Sequence, residues 1–261
     1  MADQAFRFDD GAAYERYMGK WSQLVGETFL DWLAPKPGLR WLDVGCGNGA
    51  FTEMVVGRCA PASVEGIDPS EGQLAFARTR PASRLARFRQ GDAMSLPFPD
   101  QTFDVAVMPL VIFFVPDPAK GVAEMARVVS PKGTAAAYAW DLVGGGFPYE
   151  TLQAELRAMG IDVPLPPSPG ASRIEAMRGL WMDAGFVAIE TTEITVHRTF
   201  ANFDDYWTTI FGSPSVGSKL AAMSREELAV LEARMRARLP LDDAGRITYS
   251  ALANAITGST R

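Results

Sequence analysis

The chain has 261 residues, and its 25 basic and 31 acidic side chains give a formal net charge of −6 at pH 7. Such a charge repels a phosphate backbone, so it argues against a nucleic-acid partner and favours a small-molecule one. Cys46 and Cys59 suggest neither a disulfide framework nor a zinc site, and the N-terminus does not resemble a signal peptide. We expect a soluble, cytoplasmic protein without a metal site or a membrane-inserted segment, since the longest apolar run contains Pro109 and is too short for a bilayer.

Apolar periodicity predicts alternating helices and strands up to residue 140. A helix that stops at Pro35 precedes the first strand, and a later helix has Asp117 as its N-cap, Pro118 in its first position, and Pro131 with Gly133 as its stop. This alternation is typical of parallel strands joined by helical crossovers, an α/β fold. The remaining predicted elements are strands at 40–44, 63–69, 86–93, 103–110 and 134–140 and helices at 51–60 and 70–79.

Beyond residue 140 the pattern becomes irregular. We predict a helix at 172–186, a strand at 187–200 and a closing strand at 245–256. Between them lie insertions at 141–170 and 201–244, the second containing a helix with a Ser224/Glu227 capping box. We expect one domain over 1–261, in which the N-terminal segment and helix (1–36) accompany a mainly helical cap formed by the two insertions.

The stretch "RWLDVGCGNGA", residues 40–50, places three glycines between a predicted strand and a helix. Its spacing also fits a dinucleotide fingerprint, but a pyrophosphate would be repelled by Asp43. S-adenosylmethionine carries an ammonium and a sulfonium, which Asp43 would attract. Asp68 ends the second strand, where it can accept ribose hydroxyls of either cofactor, and Asp92 ends the third, where it can accept from the adenine amine.

These motifs resemble the class I S-adenosylmethionine-dependent methyltransferases, in particular the ubiquinone and menaquinone C-methyltransferases of the small-molecule branch. The resemblance covers about residues 38–140 and rests on "LDVGCGNG", "GIDPS", "GDAMSLPFPDQTFDVAV" and "VPDPAKGVAEMARVVSPKG". It implies a Rossmann-like sheet of seven strands, six parallel and the last antiparallel, with helices on both faces. It also implies that Asp43, Gly45 and Gly47 bind the methionine part, Asp68 the ribose, and Asp92 with Ala93 the adenine. Further expected cofactor contacts are Tyr14, Tyr17, Pro69, Met94 and Met108.

The expected activity is methyl transfer to a small organic acceptor, with a NAD-dependent oxidoreductase and a non-catalytic S-adenosylmethionine-binding domain as the alternatives. Positioning can supply ~7–11 kcal/mol, against about 3–5 kcal/mol for a general base, so we assign no catalytic residue. The only histidine, His197, lies in a predicted strand away from the strand ends. Many relatives carry two histidines where this chain has Phe113 and Phe114. The expected acceptor contacts are Phe113, Phe114, Trp140, Tyr206, Trp207 and Phe211. The two phenylalanines could instead pack in the core, and the aromatic residues of the insertions could merely cover the sheet edge.

Overall fold

The structure, a computed structural model, describes residues 15–213 and 216–261. Seven strands are present: β1 Arg40–Val44, β2 Ser63–Asp68, β3 Ala86–Gln90, β4 Phe103–Pro109, β5 Val129–Trp140, β6 Val187–Phe200 and β7 Ile247–Ser259. They form one sheet in the order β3-β2-β1-β4-β5-β7-β6. β7 is antiparallel to both of its neighbours, and the pairs among β1 to β5 are parallel. The predicted fold class is confirmed.

Helices connect the strands. They are α1 Lys20–Leu33, α2 Ala50–Cys59, α3 Glu71–Ala77, α4 Pro118–Val128, α5 Glu150–Ala158, α6 Ile174–Asp183, α7 Phe203–Ile210, α8 Gly217–Ala222 and α9 Arg225–Arg238. Of these, α1 to α4, α6 and α9 lie at predicted places, whereas α5, α7 and α8 lie inside the insertions, where no individual helix was predicted. A π-helical turn, Glu15–Gly19, leads into α1. The predicted caps are confirmed, because Asp117 accepts from the Lys120 N–H, and Ser224 and Glu227 form the capping box of α9. No helix in the described part of the chain has the length and apolar character needed to cross a membrane.

α4 stops before Pro131 and Gly133, as predicted, but these two residues belong to β5, which was predicted to begin only at residue 134. The helix ends at Val128, and β5 begins at the next residue, where Val129 pairs with Phe103. The register then shifts, so that the next pair joins Val105 to Thr134. This bulge accommodates the proline and glycine inside a strand, because the residues between the two pairs need no regular ladder.

The two insertions pack against each other and against the N-terminal turn. Glu155 on α5 is only 3% exposed and forms ion pairs with Arg234 and Arg238 on α9. Tyr149, next to α5, stacks on Tyr17 with ring centroids 4.1 Å apart, and its hydroxyl donates to the Tyr17 carbonyl at 2.7 Å. The insertions therefore hold the segment that leads into α1.

Candidate functional site

The turn after β1 is tight and depends on its glycines. Gly45, Gly47 and Gly49 have φ of 75°, 51° and 79°, a region that side-chain-bearing residues rarely adopt. The N–H groups of Gly45 and Cys46 both donate to the Ile67 carbonyl at 2.8 Å, which fixes the turn to the end of β2. A Cβ at Gly45 would lie 2.5 Å from Val111, whereas one at Gly47 would meet nothing closer than 3.9 Å. The turn is thus closed on the Gly45 side and leaves room for a ligand beside Gly47.

Asp68 lies at the end of β2 and joins the turn to α3. Its Oδ2 accepts from the Gly47 N–H and its Oδ1 from the Ser70 N–H, each at 2.9 Å. Burial raises the pKa of this carboxyl, and the two backbone donors partly offset the effect. Each carboxylate oxygen has a further lone pair, so Asp68 can also accept ligand hydroxyls.

Asp43 lies behind the turn rather than in the cavity wall. It is 2% exposed, its Oδ2 accepts from the Thr52 hydroxyl at 2.6 Å, and its Oδ1 has no hydrogen-bond partner within the described residues. Burial raises its pKa to about 7; the Thr52 hydrogen bond lowers it and the Asp68 charge raises it. Asp43 is not among the residues that line the cavity, and its expected contact with the methionine part of the cofactor stays a prediction. Burial, and then the nearby carboxylates, keep the Cys46 thiol protonated by raising its pKa well above the ordinary value.

A cavity of about 220 Å³ opens at the carboxyl ends of β1, β2, β4 and β5. No lysine, arginine or histidine is found among its described lining residues. The predicted residues that line it are Gly45, Gly47, Asp68, Pro69 and Phe114. The structure thereby brings together the expected ribose site, the glycine turn and one of the two phenylalanines.

Other predicted cofactor contacts lie outside this lining. Asp92 is exposed, and its Oδ1 accepts from the Met94 N–H at 2.8 Å, which closes a local turn next to Ala93. Met108 is fully buried in β4, and Tyr17 is buried against Tyr149. Their contacts with the adenine and methionine parts stay predictions. Tyr14 lies outside the described residues.

Most of the predicted acceptor contacts are packed away from the cavity. Trp140 is buried edge-to-face against Trp21, and Tyr206 is buried against Phe200. Both rings are covered by neighbouring aromatic side chains, and their contact with an acceptor stays a prediction. Outside the cavity lining, Phe113 is buried against Phe114, Trp207 stacks on Phe203, and Phe211 is 38% exposed.

Several lining residues had no signal in the sequence analysis. Leu110 has a φ of 60° and follows β4, so it is a strained residue in the cavity wall. Others come from helices and strands that meet only in the fold: Ser22 from α1, Met54 and Phe51 from α2, Gln73 from α3 and Tyr138 from β5. The Ser22 hydroxyl has no hydrogen-bond partner within the described residues.

The N-terminal turn is also tied to the glycine turn by charge. Glu15 accepts from the Asn48 side-chain amide and from Arg80, each at 2.9 Å. Arg80 donates in addition to the Asn48 carbonyl and to Glu53, each at 2.7 Å. This network fixes one side of the cavity, because Asn48 belongs to the cavity wall.

Comparison with known proteins shows what this chain is similar to. Residues 42–137 match the family model described as a methyltransferase domain. A demethylmenaquinone methyltransferase of Desulfitobacterium hafniense is 39% identical over 105 residues, which are 38% of this chain and 41% of that protein. A sterol 24-C-methyltransferase of Gibberella zeae is 27% identical over 212 residues, 77% of this chain and 52% of that protein. The YcgJ protein structure from Bacillus subtilis aligns with a TM-score of 0.62 at 20% identity, over 91% of this chain and 98% of that one.

The family match over residues 42–137 agrees with the resemblance to class I S-adenosylmethionine-dependent methyltransferases that the motifs indicate, and the fold is shared with the Bacillus subtilis structure. Within this class, the chain is similar to methyltransferases named for a quinone and a sterol. These comparisons give no support to the NAD-dependent alternative. The chain spans 41% and 52% of the lengths of the two curated relatives.

Proposed function

We propose that this chain transfers the methyl group of S-adenosylmethionine to a small, largely apolar organic acceptor. One observation carries the proposal: a single cavity is lined both by the glycine turn and Asp68 and by the apolar side chains of Phe114, Met54 and Tyr138. The names of the two relatives, a demethylmenaquinone and a sterol methyltransferase, agree with an apolar acceptor.

The residues present fit the cofactor. The open space beside Gly47 admits a ligand against the backbone, while Asp68 offers acceptors for ribose hydroxyls and Pro69 an apolar edge. Asp43 and Asp68 place negative potential at this end, which favours a ligand carrying an ammonium and a sulfonium over a pyrophosphate. When bound, S-adenosylmethionine supplies an electrophilic methyl group on its sulfonium.

The chain contributes mainly by positioning the acceptor and excluding water. Apolar side chains such as Phe114 and Met54 exclude water from the far end of the cavity, and positioning alone can lower a barrier by ~7–11 kcal/mol. His197 is exposed on β6, the edge strand of the sheet, so we assign it no part in proton transfer. We name no general base.

We also propose that residues 1–261 form one domain. The insertions would support the cavity indirectly, by packing on the segment that leads into α1. Residues of 141–170 and 201–244 are not part of the cavity lining described above. Tyr149 of the first insertion instead donates to the Tyr17 carbonyl, which also accepts from Arg198 of β6, and this contact holds the segment that leads into α1. The two cysteines are free, which suits a reducing cytoplasm.

Calorimetry with S-adenosylhomocysteine and with NAD tests the proposal. The parent should bind S-adenosylhomocysteine, and Asp68→Asn should bind it at least tenfold more weakly, because hydrogen bonds to a charged acceptor contribute about 1.5–3 kcal/mol. Asp243→Asn, at an exposed position of a loop, is the control and should stay within twofold. Thermal melting checks that Asp68→Asn keeps its fold, since Asp68 also holds Gly47.

Tight NAD binding without S-adenosylhomocysteine binding would contradict the proposal. Catalysis is tested separately with S-adenosylmethionine labelled in its methyl group, by following label that passes into organic extracts containing quinols and sterols. Cofactor binding without transfer to any such acceptor would favour the non-catalytic alternative.

A further inference from the structure

We propose that the outer edge of β6 pairs with the same edge of a second copy of this chain, so that two sheets join into one. This inference goes beyond the function proposed above and does not depend on it. It concerns the part of β6 from Glu190 to Phe200, which we call the β6 edge. β6 is the last strand of the sheet, and no strand in the described part of the chain pairs with its outer side.

The β6 edge is long and regular. The 14 residues of β6 include no proline, glycine or lysine, and most of them are β-branched or aromatic. The shift in its register with β7 lies between Val187 and Glu190, so the pairing is continuous from Glu190 to Phe200. Such an edge offers a row of backbone N–H and C=O groups to a further strand.

The side chains of the β6 edge alternate between a buried and an exposed face. On the buried face lie Ile194, Val196 and Phe200, and on the exposed face lie Glu193, Thr195, His197 and Thr199. Two copies related by a two-fold axis form an antiparallel pair, in which side chains that lie opposite each other share a face. A slip by one residue would turn the apolar set to solvent, so exposed residues must pair with exposed residues.

Charge complementarity selects one register among those that remain. With Thr195 opposite its own copy, Glu193 of each chain lies opposite His197 of the other, with Cβ atoms about 4.5–5.5 Å apart. An imidazole N–H can donate to the carboxylate whether the ring is neutral or charged. A centre at residue 193 or 197 would place two glutamates or two histidines opposite each other, and a centre at 194 or 196 leaves Glu193 opposite a threonine.

The other edge of the sheet has the reverse arrangement of charge. β3 has only five residues, and both Arg87 and Arg89 are exposed on it. Any self-pairing centred on residue 87, 88 or 89 would place arginine opposite arginine, which is destabilising. Self-association through the sheet is therefore opposed at β3 and favoured at the β6 edge.

Sedimentation velocity of the full chain, from about 2 to 200 μM, tests the proposal. The parent should show a reversible monomer–dimer equilibrium. Glu193→Lys and His197→Glu should each raise the dimer dissociation constant at least tenfold, because the two-fold axis introduces each change twice. The double variant restores opposite charges and should return to within threefold of the parent. Glu226→Lys, at an exposed position of α9, has the same change of charge as Glu193→Lys and is the control.

A cross-link tests the register itself. Thr195→Cys places two thiols at the two-fold axis, where Cα atoms about 4.5–5.5 Å apart fall within the range of a disulfide. Copper phenanthroline in air, as the oxidant, should join two copies on a non-reducing gel. Ser250→Cys, exposed on β7 and paired with His197 of its own chain, is the control and should not cross-link, because two β6 strands separate the thiols. Cys46 and Cys59 are buried.

Two results would overturn the inference. The first is a parent that stays monomeric at the highest concentration. The second is a dimer that Glu193→Lys and His197→Glu leave intact, which would assign association to another surface. Thermal melting checks that the variants fold. Failure of the proposed function is seen separately, as absence of S-adenosylhomocysteine binding by the parent.

Discussion

Substituting Asp43 by asparagine should remove a pH dependence from cofactor binding. The pKa of Asp43 is about 7, chiefly because the carboxyl is buried behind the glycine turn. The cofactor carries an ammonium that stays protonated below pH 7, so it binds better when Asp43 is ionised. With a pKa of about 7, the ionised fraction rises from about 3% at pH 5.5 to about half at pH 7. The affinity of the parent should therefore rise severalfold over this range, up to about fifteenfold if only the ionised form binds.

The raised pKa of Asp43 also makes the free energy of unfolding depend on pH. It lies above the ordinary value of 3.8, so between pH 4 and 7 the native state binds more protons than the unfolded state. Protonation of Asp43 consequently stabilises the fold at low pH, and this contribution, up to about 4 kcal/mol, is lost as the pH rises through 7. Asp43→Asn should flatten the dependence of unfolding free energy on pH, while the asparagine oxygen still accepts from Thr52.

Calorimetric titration of S-adenosylhomocysteine at pH 5.5 and pH 7, in buffers of different ionisation enthalpy, measures both the affinity and the protons released. Asp117→Asn is a suitable control. Asp117 is the N-cap of α4 and does not line the cavity, and asparagine caps a helix as well as aspartate does. The reasoning is refuted if the parent's affinity varies less than twofold between these pH values. It is equally refuted if Asp43→Asn keeps the full dependence.

Two further predictions concern the insertions and the histidine. Glu155→Gln should lower the free energy of unfolding in denaturant titrations by about 1–3 kcal/mol, since it removes a buried charge that pairs with Arg238. Glu232→Gln, which alters a more exposed i, i+4 pair on α9, should cost less than about 0.5 kcal/mol, and equal losses would contradict the proposed link between α5 and α9. His197→Ala should leave the rate of methyl transfer within about tenfold of the parent; a hundredfold loss with cofactor binding intact would make His197 a base.

Local sequence signals predicted the elements and the cofactor end of the site. The periodicity of apolar residues and the capping residues predicted where these helices lie. Asp117 and Ser224 are N-caps as predicted, because a cap depends only on residues within one turn. The glycine turn and Asp68 were found in the same way, since a turn between a strand and a helix brings its own residues together. The bulge at Pro131 was missed because it depends on pairing with a distant strand.

The sequence by itself determined a parallel α/β sheet with acidic residues at successive strand ends, because strand ends follow directly from chain order in such a fold. Only the tertiary structure decided what each side chain faces. It put Asp43 behind the turn, buried Trp140 and Tyr206 in the aromatic core, and brought Ser22 and Tyr138 to one cavity. The periodicity of apolar residues shows which face of a helix or strand is buried. It does not show which side chains pack against that face, because they belong to other elements. Whether an aromatic side chain fills a core or lines a cavity therefore depends on packing between segments far apart in the chain.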